Sequence, residues 1–581
     1  MSSPSQSRRQ FLARAGAGGL VIGLGAAAAE GLGQSNAAAE GLGQSNAAAE
    51  GLGQSNAAAD AAFTAPAAKA ASFGLTNSGG FYTVTTGAGL SFKIHQSTGG
   101  MTSLNINGTE LQPSGTNESH VESGLPSPTV TAQQSGNFII VTASTTTWEG
   151  SGTLHHYYVA VNGQNNIYMA TFVASGAGEL RWIQYLNRGI LTSILTPSDV
   201  NGGTAIESTD IDLVNGQTRS KYYSNRQAQN LTVRGVTGSG IGVYMAYGTR
   251  ESSSGGPFFR DIEQQGTSAS VEVYNYMWSG HNDTEAQRLG VLYGPYALMV
   301  AGTSTPAAPD MSFMYTLGLQ GAVGPSQRGF VVGAAAGVTS GTTATLGFAN
   351  STAQYWCGTG TNGDFTSPAM KPGQYVQTLY QDELAVATRN VTVTAGATLT
   401  GQNINSAWVT PANPVFRIGT WTGTPLNFRN WPALTFMHPS DTRMASWGPV
   451  TYTVGSSSVG DFPAYQWKEI NNPTTVRFTL SSSQIAARTV RIGITAAYSG
   501  GRPQITVNSW TSPAPAPSSQ PSSRSLTIGT YRGNNALYTY NVPASAFVAG
   551  TNTMTITVIS GTTGLGGYLS PGYSYDCVEM F

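Results

Sequence analysis

Charge is scarce in this chain. Only 9% of its 581 residues are Asp, Glu, Lys or Arg, and the formal net charge is -1. No global field therefore recruits nucleic acid or an anionic membrane surface, and an acidic ligand would need a local cluster of cations. Cysteine is nearly missing. Cys357 and Cys577 lie far apart without metal-binding spacing, which argues against a disulfide framework and favours two unpaired thiols. After residue 70 no segment has the uninterrupted apolar length of a membrane helix, and long helical periodicity is absent. Nucleophile elbows, phosphate loops and zinc signatures are missing too. His155 and His156 are adjacent, so on a strand they point to opposite faces and do not chelate one metal together.

What is present points to an all-β protein. Glycine reaches 73 residues, and short alternating runs such as "NFIIVTASTTTWEG", "ELRWIQYL" and "SGIGVYMAYG" are separated by Gly, Asn and Ser turns. Length suggests three or four units. Residues 71–323 read as a large antiparallel β-sandwich, 324–408 as a fibronectin type III-like sandwich and 409–581 as a jelly roll. The tract "SPAPAPSSQPSSR" inside the third unit reads as a long surface loop. Residues 1–70 are set apart. Arg8 and Arg9 precede a short, weakly apolar run, the form of a twin-arginine export signal and hence of a bacterial source, and "EGLGQSNAAA" repeated three times reads as a linker.

Candidate chemistry concentrates in a few places. Lysine occurs five times, and Lys221 in "GQTRSKYYSNR" sits beside Arg219, Tyr222, Tyr223 and Arg226; such a cluster is a solvated turn or a receiver for a carboxylate, with arginine giving paired donors and tyrosine stacking on a sugar. Arg181 in "GELRWIQYL" lies among apolar strand residues, which favours a sheet edge over a cavity. In "VEVYNYMWSGHNDTE" the alternation puts Tyr274, Tyr276 and Trp278 on one face, opposite Val271, Val273, Asn275 and Met277, just before His281. Glu207, Asp210, Asp212, Asp261 and Glu263 are the carboxylates that could supply a glycosidase pair, and structural or ion-pair roles suit them better.

The runs "GTAIESTD", "TRSKYYS", "SSGGPFFRDI", "YNYMWSGHNDTE", "SPAMKPGQY" and "HPSDTRMASWGPVTYTVGSS" resemble rhamnogalacturonan lyases of polysaccharide lyase family 4, in the same order from about Phe73 to Phe581. The resemblance implies a catalytic β-sandwich, a fibronectin type III-like domain and a carbohydrate-binding-like jelly roll. It also implies a rhamnogalacturonan endolyase, which cleaves the rhamnose–galacturonate backbone of pectin by β-elimination and leaves an unsaturated uronate. By motif the catalytic pair falls on Lys221 and His281, and the substrate contacts fall on Arg181, Tyr274 and Tyr276. Asn275 and Trp278 depart from the fungal pattern, which bears on subsite preference more than on the chemistry.

Lysine titrates ordinarily near 10.4, so a basic role for Lys221 requires desolvation or neighbouring cations, while histidine suits the acid that protonates the leaving oxygen. The reverse assignment stays open at this point. Positive charge from Arg181 beside the uronate carboxylate would stabilise the developing anion, so no cofactor or divalent metal is required for catalysis. A structural calcium ion is an expectation for the jelly roll. The expected partner is the polysaccharide alone, with no nucleic acid and no membrane, and the protein is expected to be a secreted monomer. A non-catalytic binding relative and a carboxylate-dependent glycoside hydrolase are the rival readings.

Overall fold

The computed structural model describes residues 71–581, except 114, 116, 117 and 522, and all of these belong to one compact unit spanning Ala65–Phe581. The export signal and the repeats expected in residues 1–70 lie outside the described residues. Strands dominate, as the two-residue alternation requires; among the described residues helix is confined to 3-10 turns of three to five residues.

The first part of the chain forms a seven-stranded antiparallel sheet in the order Val233–Gly238, Ile241–Ala246, Val291–Ala301, Asn166–Val173, Gly152–Val161, Phe138–Trp148 and Thr129–Ser135. One face shares a core with a five-stranded meander, Gly74–Ser78 to Thr109–Glu110, and with a four-stranded sheet, through Phe92, Ile94, Val141, Met169, Trp182 and Val273. The other face, with Tyr157, Tyr168, Phe172 and Met299, is covered by the segment around Met311–Leu319. A central sheet buried on both sides explains why the strand Val291–Ala301 reads as a continuous apolar run rather than alternating.

Next come two small sheets around Val331, Leu346, Phe348, Tyr375 and Leu379. The C-terminal part holds two five-stranded sheets, built on Arg488–Tyr498 with Gly572–Met580 and on Thr474–Leu480 with Gly550–Ile559, enclosing Trp467, Phe478, Ile492, Ile556 and Tyr575. Both cysteines are free thiols. His155 and His156 diverge as expected, to Ser144 at 2.7 Å and Thr171 at 2.9 Å.

One sequence expectation changes here. Arg181 is not on an edge, because its strand Leu180–Leu186 lies between Val271–Trp278 and His120–Val121. The proline and serine tract Ser512–Arg524 is a loop as expected, without regular structure and, Ser512 apart, exposed or half-buried at its described residues, while Ser525–Thr530 directly after it is buried.

Candidate active site

The site begins with two antiparallel strands. Their register sets Arg181 opposite Tyr276 and Ile183 opposite Tyr274, within cross-strand contact on one face. The Tyr274 and Tyr276 rings stack at 5.7 Å and 23°. Arg181 Nη1 donates to Tyr276 Oη at 2.7 Å and to Glu179, while its Cζ lies 5.4 Å from the Tyr276 ring centre. Burial works against its charge, but Tyr276 and Glu179 outweigh it and keep the guanidinium protonated. Burial also holds both tyrosines far above the usual phenol range, so they act as neutral hydroxyls.

The expected aromatic face is shorter than the alternation indicated. Leu180 pairs with Trp278 while Arg181 pairs with Tyr276, so Met277 is the extra residue of a β-bulge. That turns Trp278 to the other side, against the main core. Asn275, on the opposite face from the tyrosines, accepts from Arg250 Nη1 at 3.1 Å.

Beyond the bulge the chain turns and presents His281. Its Nδ1 is 3.0 Å from Asp261 Oδ1, and its ring meets Tyr222 edge-on at 5.2 Å and Tyr276 at 5.3 Å. The imidazole is 21% exposed and the aspartate 5%. Desolvation opposes protonation of His281, but the Asp261 charge and hydrogen bond prevail and raise its pKa above the ordinary value. Asp283 accepts from the Gly280 N–H and from Ser279 Oγ; burial first, and then Asp261, push its carboxyl up to about 7.

Lys221 opens the 3-10 turn Lys221–Ser224. The turn forms here because Ser220 Oγ accepts from the Tyr222 N–H at 3.2 Å, a short N-terminal cap, while that hydroxyl donates to the Asp210 carbonyl at 2.7 Å. The sequence allowed a solvated turn; instead Tyr222 and Tyr223 are buried in a cluster with Ile183, Ile262, Tyr274, Tyr276 and Ile528. Each such side chain contributes about 2 kcal/mol of burial free energy. The Lys221 side chain stays 23% exposed, with Nζ 3.2 Å from Asp210 Oδ1 and 5.7 Å from the Tyr222 ring centre. Tyr222 therefore separates the lysine from the histidine, and the lysine charge still bears on the protonation of His281. Arg219 is committed elsewhere, to the Thr196 carbonyl and Gln217.

The C-terminal part closes the wall behind this turn. Tyr223 Oη donates to the Thr527 carbonyl at 2.9 Å, and Asn225 Nδ2 to the Gly529 carbonyl at 3.1 Å. Gly529 has φ +76°, and a Cβ there would stand 2.8 Å from the Thr435 carbonyl and 2.9 Å from Tyr223 Cδ1, so the close approach requires glycine. Ser523 Oγ donates to Asn282 Oδ1 at 3.0 Å, beside the histidine.

Lys221, His281, Arg181, Tyr274 and Tyr276 thus share one partly open site. Four of the five carboxylates weighed from the sequence are committed to basic groups: Glu207 to His438 and Arg524, Asp210 to Lys221 and Arg524, Asp261 to His281, and Glu263 to Arg234. Asp212 has its carboxyl raised by burial and by the Asp210 charge. What sequence reasoning missed is Glu179, Glu272, Asp283 and Arg524. For Arg524 the available signal was the apolar alternation of Leu526 and Ile528 directly after the proline tract. Among the described residues no group of three or more His, Cys, Asp or Glu is arranged to hold a metal ion.

Comparison with known proteins covers most of the chain. Residues 73–321 match the family model described as the N-terminal part of rhamnogalacturonan lyase B; 327–401 and 414–580 match domains II and III of polysaccharide lyase family 4. A probable rhamnogalacturonate lyase A of Aspergillus fumigatus is 46% identical over 519 residues, 88% of this chain and 96% of that protein. The rhamnogalacturonate lyase A of Aspergillus aculeatus shows the same identity and coverage. A putative rhamnogalacturonase of Neurospora crassa is 42% identical over 88% of this chain and 96% of its own length. These relatives are fungal and lend no support to the bacterial origin read from the twin-arginine leader.

Proposed function

The chain belongs to polysaccharide lyase family 4 and is a lyase acting on rhamnogalacturonan, and from that premise we propose how its own residues divide the reaction. Arg181 lies beside the galacturonate carboxylate and stabilises the negative charge that spreads onto it as the proton on carbon 5 departs. Lys221 Nζ takes that proton. The freed electron pair forms the double bond between carbons 4 and 5, the bond from carbon 4 to the glycosidic oxygen breaks, and His281 gives that oxygen a proton. Tyr274 and Tyr276 orient the sugars by ring contact and hydroxyl hydrogen bonds.

What favours His281 as the acid is its ion pair with Asp261 at 3.0 Å, which holds the imidazole in its proton-carrying form. Lys221, partly open and separated from it by Tyr222, is the base by complement. The commitment of Glu207, Asp210, Asp261 and Glu263 to basic groups disfavours any two of these four as the free pair of a hydrolase.

The test is the ultraviolet absorbance of the unsaturated uronate during digestion of deacetylated rhamnogalacturonan. Lys221→Met and His281→Asn are each expected to lower kcat by about 10²–10⁴-fold. Depolymerisation by the wild type without absorbance would overturn elimination, and full activity in either variant would overturn its role. The Arg181 charge replaces a Lewis acid in this scheme, so a chelator is expected to leave the rate unchanged. The reading places the protein outside the cell as a monomer, with the segment around Arg8 and Arg9 as its export signal; the N-terminus and mass of the exported protein test both.

A further inference from the structure

The carboxylate that holds Lys221 also holds an arginine from the distant end of the chain. Asp210 Oδ1 accepts from Lys221 Nζ at 3.2 Å, and its Oδ2 accepts from Arg524 Nη2 at 2.7 Å. The same guanidinium reaches Glu207 Oε1 at 2.8 Å through Nη1, and Glu207 Oε2 lies 3.0 Å from His438 Nε2. Arg524 is 19% exposed, Asp210 13% and Glu207 7%. Its backbone is anchored as well, since its carbonyl accepts from Thr527 N at 2.9 Å and Thr527 Oγ1 at 3.1 Å, and Thr527 Oγ1 is also 2.8 Å from Glu207 Oε1. Ile528 packs with Tyr222 and Tyr223. A guanidinium fork spanning two fixed carboxylates is geometry that a lysine could not reproduce.

We infer that Arg524 is a positioning residue for Lys221. By occupying one oxygen of Asp210 it fixes the orientation of that carboxylate and offsets its charge, which leaves the lysine amine available to take up the substrate proton. The inference rests on the lyase reading with Lys221 as base. It makes the C-terminal jelly roll a working part of the catalytic centre rather than a separable binding module.

The charges facing Lys221 are few. Asp210 lies on its own side and Glu272 comes from the strand Val271–Trp278; burial raises the Glu272 carboxyl, which accepts from Tyr274 and Ser270. His281 approaches from the loop beyond that strand, with Tyr222 between. Arg524, with Glu207 and His438 behind it, is the cation that counters Asp210.

The test follows kcat and KM across pH for the full-length protein with Arg524→Met, Arg524→Lys and Asp210→Asn. Loss of the guanidinium leaves Asp210 to stabilise the ammonium alone, so in Arg524→Met the acidic limb of kcat moves up by about one pH unit and the neutral-pH rate falls about tenfold, with KM little changed. Arg524→Lys recovers part of the shift. Asp210→Asn moves the limb in the opposite direction, a sign that loss of packing alone does not produce, and it decides the matter if Arg524→Met does not fold. A uniform loss of kcat at every pH, a rise in KM with the limb unmoved, or an upward shift in Asp210→Asn would overturn the inference and leave the lyase reading standing. Absence of unsaturated product from the wild type would instead remove that reading itself.

Discussion

Replacing Asp261 by asparagine tests the acid assignment most directly. The amide is nearly isosteric, and its oxygen still accepts from His281 Nδ1–H, so the tautomer and ring orientation are retained while the charge is lost. Two unit charges about 4 Å apart interact by about 4 kcal/mol at an effective dielectric near 20. The imidazole is 21% exposed, and the neutral hydrogen bond retains part of the interaction, so a charge-assisted bond of about 1.5–3 kcal/mol is the better figure. That corresponds to about one to two pH units. The partner favours the protonated histidine, so its removal shifts the alkaline limb of kcat downward by that amount. Initial rates of unsaturated product across the neutral range give the limb, and NMR titration of His281 gives the group.

The sign for stability follows from the same shift. A histidine whose folded pKa is raised contributes stability that is fully present below the unfolded value, about 6.5, and is lost as pH rises through the folded value. Asp261→Asn is therefore expected to cost most in denaturant melts on the acidic side and little on the alkaline side. Asp283, which burial and then Asp261 push up to about 7, ionises at lower pH in the variant. An alkaline limb that stays in place or moves upward would refute the reasoning.

Arg181→Lys keeps a charge but loses the guanidinium Nη1 that donates to both Tyr276 and Glu179; kcat is expected to fall about 10–100-fold, and a rise in KM with unchanged kcat would show that the charge serves binding alone. Glu251→Gln leaves Arg328 and Lys371 buried without their counter-charge at 2.6 and 3.1 Å and is expected to destabilise by about 3–5 kcal/mol. Arg328 and Lys371 overcome the cost of burial and hold the Glu251 carboxyl below its usual range. Its contribution is therefore present above the unfolded value and lost as pH falls, so the gap in denaturant midpoint should close in acid. Gly529→Ala meets the Thr435 carbonyl at 2.8 Å in a backbone conformation with φ +76°; a lower melting temperature together with reduced kcat is expected, because the same contact backs the Lys221 turn, and an unchanged protein would remove the close-approach argument.

Alternation and composition alone determined that this is a strand protein with Tyr274 and Tyr276 on one face, and the ordered motifs marked Lys221, His281 and Arg181 as candidate site residues. Those properties are local, because a strand repeats every two residues and a motif is read along the chain. Tertiary structure decided the rest. One extra residue at Met277 turned Trp278 from the tyrosine face to pack, half-buried, against the main core, although nothing in the alternation signals a bulge. Interior position placed Arg181 between two strands rather than at an edge, since sheet order is set by crossovers and not by the strand itself. Asp261 became the partner of His281 from 20 residues away, and Arg524 reached Asp210 from 314 residues away. Which cation offsets which carboxylate depends on where loops end in space, and that is settled only when the sheets pack.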